Sequence, residues 1–306
     1  MAFIDEIKSI YSQGSMLMRL IFINIAVFVV LLLFAVGAVL FNGNPDVMTR
    51  WAQLPSDLGM LLRRPWTLIT YMFTHLDFIH ILFNMLWLYW LGRIFMEFFS
   101  PKQLAGLYLL GGLGGALLYL LAANTLPYFT SQPNVFYLRG ASASVVAIVV
   151  ATAVYAPDYK IGLLFLGDVS IKWIAIVTVL ISLVSMDGGG NVGGNIAHIG
   201  GAIVGAWFAL RIKRGADITR PLNACIDAIV GLFNGRSLKM PRFKKSEKSE
   251  AKQERVKPQE GVKRESGGVP EAELDEILKK IKAAGYDSLS EEERGKLFKA
   301  SQRRTP

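Results

Sequence analysis

Three residue types that are rare in apolar sequence recur where apolar runs begin. Ser142 lies in "GASAS", His80 and Asn84 in "HILFN", and His198 in "NIAHIGGAIVG". A serine is a poor nucleophile until a neighbouring base takes its proton, and an imidazole is suited to that near neutral pH. Ser142 and His198 therefore read as a nucleophile and its base. Attack on a carbonyl creates an oxyanion, for which Asn84, His80 and the backbone N–H of Ser142 are the candidate donors in a low-dielectric pocket. His80 and Asn84 are four apart, so they share a helix face and can aim at one point. No carboxylate is obviously placed to orient the base, because Asp187 belongs to a glycine-rich loop and Asp77 to another helix. A two-residue Ser/His pair is the economical reading. Each member also has an ordinary role in a membrane helix: serine as packing residue, histidine reaching interfacial water, asparagine bonding a neighbouring helix. The combination, at one depth, is what points to chemistry.

The elements that must position these groups are membrane spans. The chain has 306 residues, 52% of them hydrophobic, too apolar for a soluble protein of this length. Runs long enough to cross about 30 Å of hydrocarbon occur near residues 17–41, 79–99, 103–123, 141–155, 172–186 and 195–212. The expectation is an all-α membrane protein with six transmembrane helices. If the first runs from inside to outside, helices two, four and six all start at the outer face, where the three histidines of the chain, His75, His80 and His198, are found. Helix four has about 15 apolar-compatible residues before Pro157, roughly 22 Å at 1.5 Å per residue, so its polar start lies below the outer surface. Such a start is tolerated only inside protein or a water-filled cavity. Gly201 and Gly205 of helix six form a small-xxx-small pattern that helix four matches with Gly140, Ala141, Ala143, Ala147 and Ala151, so these two helices are expected to touch. The first external loop, 42–78, mixes apolar and charged groups and is expected to rest partly in the interface. The fifth loop, "MDGGGNVGGN", is read as a mobile cover or a flexible connector.

Charge sets the orientation. Residues 1–210 carry 10 Lys+Arg and 9 Asp+Glu, against 23 and 15 in residues 211–306, so nearly all of the net +9 belongs to the tail. A basic tail flanking spans points to the cytoplasmic side and to anionic lipid. Arg50, Arg63, Arg64 and Arg139 then fall outside, against that trend. No base-reading motif accompanies the charge, so no nucleic-acid partner is expected. The single Cys225 excludes an internal disulfide and any cysteine-based metal site. The apolar stretch from Leu20 to Pro45 exceeds a cleavable signal core and reads as a retained span. The expected organisation is an N-terminal cytoplasmic or interfacial segment (1–16), a six-helix membrane domain (17–212), a basic and mostly disordered linker (213–269) and a C-terminal helical hairpin (270–306). In the hairpin, Leu274, Ile277, Leu278 and Ile281 have helical spacing, Gly285 ends that helix, and Ser290 with Glu293 forms a capping box for a second.

These residues carry a resemblance to the rhomboid intramembrane serine proteases. "WTLITYMFTHLDFIHILFNMLWLYWLGRIFME" resembles the first loop and second helix of that family, "GASA" its Gly-x-Ser motif, and "AHIGGAIVG" its Ala-His-x-x-Gly-x-x-x-Gly helix, over roughly residues 17–212. The resemblance implies Ser142 as nucleophile, His198 as base, and His80 and Asn84 as oxyanion contributors. It also implies structural support from Gly140, Gly201, Gly205 and Glu97. Two positions depart from the pattern: Thr67 follows Trp66 where an arginine is common, and Val146 stands where an aromatic often stacks on the base. Ala143 replaces a frequent glycine after Ser142. The tail hairpin resembles an extension of some bacterial members.

The expected function is that of an intramembrane serine endopeptidase, without metal or organic cofactor, in a bacterial inner (plasma) membrane with both termini cytoplasmic. It would cut transmembrane or juxtamembrane segments of other proteins. A helix hides its amides in its own hydrogen bonds, so substrates weakened by Gly, Ala, Ser or Pro near the outer face are favoured, admitted by movement of the fifth loop. The rival is a non-catalytic rhomboid-like protein that binds transmembrane helices. A transporter or channel would want midplane charges or broken helices, and Lys172 alone hardly meets that.

Overall fold

The computed structural model describes residues 15–163, 167–186, 191–233, 276–277, 279–281 and 289–301. The chain divides into two compact units, Met1–Met240 and Pro241–Pro306.

The first unit is mostly helical. Helix α1 spans Met16–Leu40 and carries no charge after Arg19; Ser15 caps it, its hydroxyl accepting from the Met18 N–H at 3.4 Å. A long connection follows, containing α2 (Asp46–Ala52), strand β1 (Leu54–Pro55), α3 (Leu58–Arg63) and α4 (Thr67–Thr70), with a single 3-10 turn at Tyr71–Phe73. Helix α5 (Phe78–Phe98) is capped by Asp77. Helix α6 (Pro101–Thr125) opens with a reciprocal Ser100–Gln103 capping box and a proline at its first turn, where a missing N–H costs nothing. Then come α7 (Pro127–Thr130), strand β2 (Tyr137–Leu138), α8 (Ser142–Tyr155), the hairpin strands β3 (Lys160–Leu163) and β4 (Gly167–Ser170), α9 (Ile171–Val184), α10 (Val192–Lys213) and α11 (Arg220–Phe233).

Among the described residues, four helices, α1, α5, α6 and α10, are long and apolar enough to cross a membrane. Helices α8 and α9 have 14 residues each, about 21 Å at 1.5 Å per residue. Every residue from Ala143 to Ala153 of α8 is buried, which makes it the central post of the bundle. Lipid-facing apolar surface lies instead on helices such as α1 and α9, where Leu33 is 65% and Val184 73% exposed. The protein is thus a helical membrane protein. Helices α8 and α10 approach closely: a Cβ on Gly201 would run into the carbonyl of Ala143, and one on Gly205 into that of Ala147, so the expected small-residue contact is present. Several buried polar groups are paired across elements, which lowers the cost of placing them in a dry interior. Asn24 Nδ2 donates to the Tyr108 hydroxyl at 3.1 Å, and that hydroxyl donates to the Met72 carbonyl at 3.0 Å, linking α1 and α6 to the 3-10 turn.

Two features differ from the sequence expectation. Residues 220–233, inside the stretch expected to be a mostly disordered linker, form helix α11, and the division between the compact units, at 240, falls within that same stretch. The fifth connection is shorter than its glycines suggest, because α10 begins at Val192 and absorbs Gly193 and Gly194; residues 187–190 lie outside the described residues. So do 1–14, most of the expected linker, and Leu274, Leu278 and Gly285 of the hairpin. In the second unit, helix α12 (Glu291–Ser301) has its capping box: the Ser290 N–H donates to Glu293 Oε2 at 2.7 Å and the Glu293 N–H to Ser290 Oγ at 3.3 Å. Lys280 pairs with Glu293 at 2.9 Å, holding that carboxyl down at about 2.

Candidate active site

Ser142 is the first residue of α8. The turn that delivers it is built from three contacts. Gly140 has φ +110°, a conformation that side chains rarely adopt, and its N–H donates to the Tyr71 carbonyl at 2.9 Å. The Ala141 N–H donates to His75 Nε2 at 3.3 Å. Upstream, β1 pairs antiparallel with β2, Leu54 opposite Leu138 and Pro55 opposite Tyr137, so the long first connection is stitched to the strand that leads into the site. His75 is 1% exposed, and burial, followed by the nearby His80, pushes its pKa down to about 4. Neutral, with Nδ1 facing the Phe73 carbonyl at 3.4 Å, it presents Nε2 as an acceptor to Ala141.

His198 lies in the second turn of α10. Its Nε2 is 2.7 Å from Ser142 Oγ, which is the separation of a short, well-formed hydrogen bond. On the other side of the ring, Nδ1 is 2.9 Å from Ser182 Oγ of α9. Three helices therefore contribute one polar group each to a continuous chain. The pair opens onto a hollow of about 240 Å³ lined by Phe83, Asn84, Trp87, Val145, Val146, Thr178, Ile181 and Ser182 as well as Ser142 and His198. Its walls are apolar and come from α5, α8, α9 and α10.

Of the expected oxyanion contributors, Asn84 lines this hollow. One of its two amide protons is used within α5, donated to the His80 carbonyl at 2.9 Å, which leaves the second for a ligand. His80 stands against the Gly140 turn: a Cβ on Gly140 would lie 2.8 Å from His80 Cε1 and 3.9 Å from Ser142 Oγ. Its N–H donates to Asp77 Oδ1 at 2.7 Å, and the two rings His75 and His80 meet edge to face with centroids 5.1 Å apart. The Ser142 N–H is at a helix N-terminus, where the first backbone donors lack intrahelical partners and the helix dipole favours negative charge. Gly201 and Gly205 bring α10 onto α8. Glu97 lies away from the hollow, accepting from the Tyr159 hydroxyl at 2.8 Å, which raises the Tyr159 pKa. Thr67 is fully buried and donates to the Arg64 carbonyl at 2.7 Å, and Arg64 lies 4.1 Å above the Trp51 ring. Trp51 in turn stacks on Trp66 at 5.8 Å, so an arginine three residues before the threonine supplies an aromatic contact in the first loop.

Two residues in this constellation were not assigned roles from the sequence. Ser182 carried a signal, as a polar residue four after Thr178 inside an otherwise apolar run. His75 carried one as the third histidine of the outer ends, but its acceptor role depends on how the loop folds back.

Among known proteins, the rhomboid domain model matches residues 62–214, half of the chain. The chain is 35% identical over 158 residues to RHOMBOID-like protein 12, mitochondrial, of Arabidopsis thaliana. It is 27% identical over 141 residues to Presenilin-associated rhomboid-like protein A, mitochondrial, of Danio rerio. These matches cover 49% and 44% of this chain, and 47% and 34% of those relatives, so the likeness spans about half their length or less. Ser142, His198, His80 and Asn84 all lie within the matched domain: the chain belongs to the rhomboid family of membrane proteins.

Proposed function

We propose that the protein is an intramembrane serine endopeptidase working through Ser142 and His198. The 2.7 Å contact between His198 Nε2 and Ser142 Oγ, at the edge of an apolar hollow, carries this reading. In the first step the Ser142 hydroxyl proton passes to Nε2 as Oγ bonds to the scissile carbonyl carbon, and the carbonyl electrons move onto oxygen. The Ser142 N–H, Asn84 Nδ2 and His80 are assigned to that oxyanion. The imidazolium then returns its proton to the leaving amine, giving an acyl-enzyme on Ser142. A water deprotonated by the same imidazole releases the acid and restores the serine.

The six-span arrangement belongs to this proposal, with α8 and α9 as the two short crossings and both termini cytoplasmic. Assignment to a bacterial inner membrane rests on the resemblance of the C-terminal extension; the relatives' names place those proteins in mitochondria. Substrates are membrane proteins whose transmembrane segment is weakened near the site, since an intact helix withholds its amides. Anionic lipid is the partner proposed for the basic tail. The rival, a non-catalytic binder of transmembrane helices, uses the same hollow without turnover.

The test is reconstitution of the purified full chain with a single-span substrate. Wild type is expected to cleave, and Ser142→Ala and His198→Ala to lose at least a hundredfold, the lower bound of a general base's contribution. Equal cleavage by all three removes the protease reading, and binding without cleavage by wild type favours the rival.

A further inference from the structure

A histidine that serves as a base must offer an unprotonated nitrogen to the nucleophile, and something must decide which nitrogen that is. Among the described residues, the group facing His198 Nδ1 is not a carboxylate but the hydroxyl of Ser182, at 2.9 Å. A hydroxyl can donate only one proton. Ser182 Oγ is also 3.0 Å from the carbonyl of Thr178, one turn earlier on α9, and a carbonyl can only accept. The Ser182 proton therefore goes to Thr178, and the oxygen it leaves facing His198 is an acceptor. Nδ1 must then carry the hydrogen, and Nε2 is left bare toward Ser142.

We propose that Ser182 is a positioning residue for His198, holding the imidazole in the Nδ1–H tautomer and in the plane that points Nε2 at Ser142 Oγ. The Ser182 side chain is 4% exposed, so water does not readily substitute for it. Val146, one turn along α8 from Ser142, lines the same hollow and offers His198 an aliphatic surface rather than a ring to stack on. The hydrogen bond from α9 supplies the restraint in its place. It also ties the base to a helix other than the two that carry the pair, so the alignment of His198 depends on where α9 sits. Of α9, only Ile171, Ala175 and Ser182 are buried, which makes Ser182 the buried anchor of its last two turns.

The kinetic consequence rests on the protease reading above; the tautomer does not. With the full chain in detergent and a single-span substrate, Ser182→Ala is expected to lower kcat about tenfold to a hundredfold with KM unchanged, the scale seen when the outer partner of a metal-ligating imidazole is removed. Ser182→Thr, which keeps the hydroxyl, is expected to recover most of that loss. Nitrogen-15 NMR of histidine-labelled protein reads the tautomer directly, and with three histidines in the chain the His198 signals are identified by their absence in His198→Ala. Wild type should show Nδ1 protonated and Nε2 bare, and Ser182→Ala a shift toward the other tautomer. A wild-type spectrum with the proton on Nε2 overturns the proposal. So does unchanged kcat in Ser182→Ala, or equal loss in both variants with the wild-type spectrum retained. If wild type and Ser142→Ala cleave alike, the protease reading fails and the spectrum alone decides the role of Ser182.

Discussion

At the scale of single residues, the candidate site depends on small, uncharged hydrogen-bond acceptors in dry surroundings. His75 is an instance. As a neutral ring it accepts from Ala141, and its pKa is pushed down to about 4 because burial and the nearby His80 both oppose its charge. The sign of the linkage follows. In the unfolded chain the imidazole takes up a proton near its usual 6.5, whereas in the fold it does so only near 4. Between those values the unfolded state binds more protons, so stability present above pH 6.5 is lost as pH falls toward 4. Wild type should therefore show a falling unfolding midpoint across that window. His75→Gln, whose side-chain oxygen can accept from Ala141 without titrating, should show a flatter one. His75→Leu should be destabilised at every pH by about 1–3 kcal/mol, the cost of leaving a buried N–H unpaired. Thermal unfolding in detergent at stepped pH checks all three. Ser142 and His198 were legible in the sequence because a serine and a histidine at the mouths of apolar runs are costly there. Ser182 was less so, since a serine inside a membrane helix normally satisfies itself against the preceding turn, and nothing in a linear reading places α9 beside the start of α10.

At the scale of elements, the decisive contact is the seam between α8 and α10. Two helices that carry one reacting group each must hold their separation to a few tenths of an ångström, and backbone against backbone is the stiffest way to do so. Gly201 and Gly205 lie directly on the carbonyls of Ala143 and Ala147. Gly201→Val should push the helices apart, costing about 1–3 kcal/mol or more by overpacking, and should separate Ser142 from His198. The expected result is loss of fluorophosphonate labelling of Ser142 in protein that still inserts in the membrane. Gly37→Ala is the matched control: nothing lies within 4 Å of a Cβ at that position of α1, so labelling should be unchanged. This seam was visible in advance because small residues at i,i+4 spacing have one obvious use in a membrane helix. Helix α11 was not, because the charges that follow it dominate the composition and mask a stripe that only the helical period exposes.

At the scale of the whole molecule, that stripe suggests how the membrane domain meets the lipid surface where α6 begins and α10 ends. Leu222, Ile226, Ile229 and Val230 fall on one face of α11, and Ile229 and Val230 are 55% and 50% exposed. The side next to the stripe is fixed to the start of α6: Asp227 pairs with Lys102 at 2.7 Å, and Asn223 Nδ2 donates to the Lys102 carbonyl at 3.0 Å. Nearby, Gln103 donates to Asp217 at 3.1 Å. A helix tethered at the end of a span, apolar on its free face and flanked by Arg211, Lys213, Arg214 and Arg220, has the charge and the greasy stripe that suit an anionic lipid surface. Cys225, exposed and the single cysteine of the chain, borders the stripe and serves as a native probe. An environment-sensitive fluorophore on Cys225 is expected to shift to the blue in vesicles containing phosphatidylserine, and to be quenched by lipids brominated near the headgroup. Replacing Ile229 and Val230 together by aspartate should reverse both effects while leaving the Lys102–Asp227 pair in place. Quenching that is the same in neutral and anionic vesicles would leave the apolar stripe as the only anchor, and quenching absent from both would remove α11 from the lipid surface.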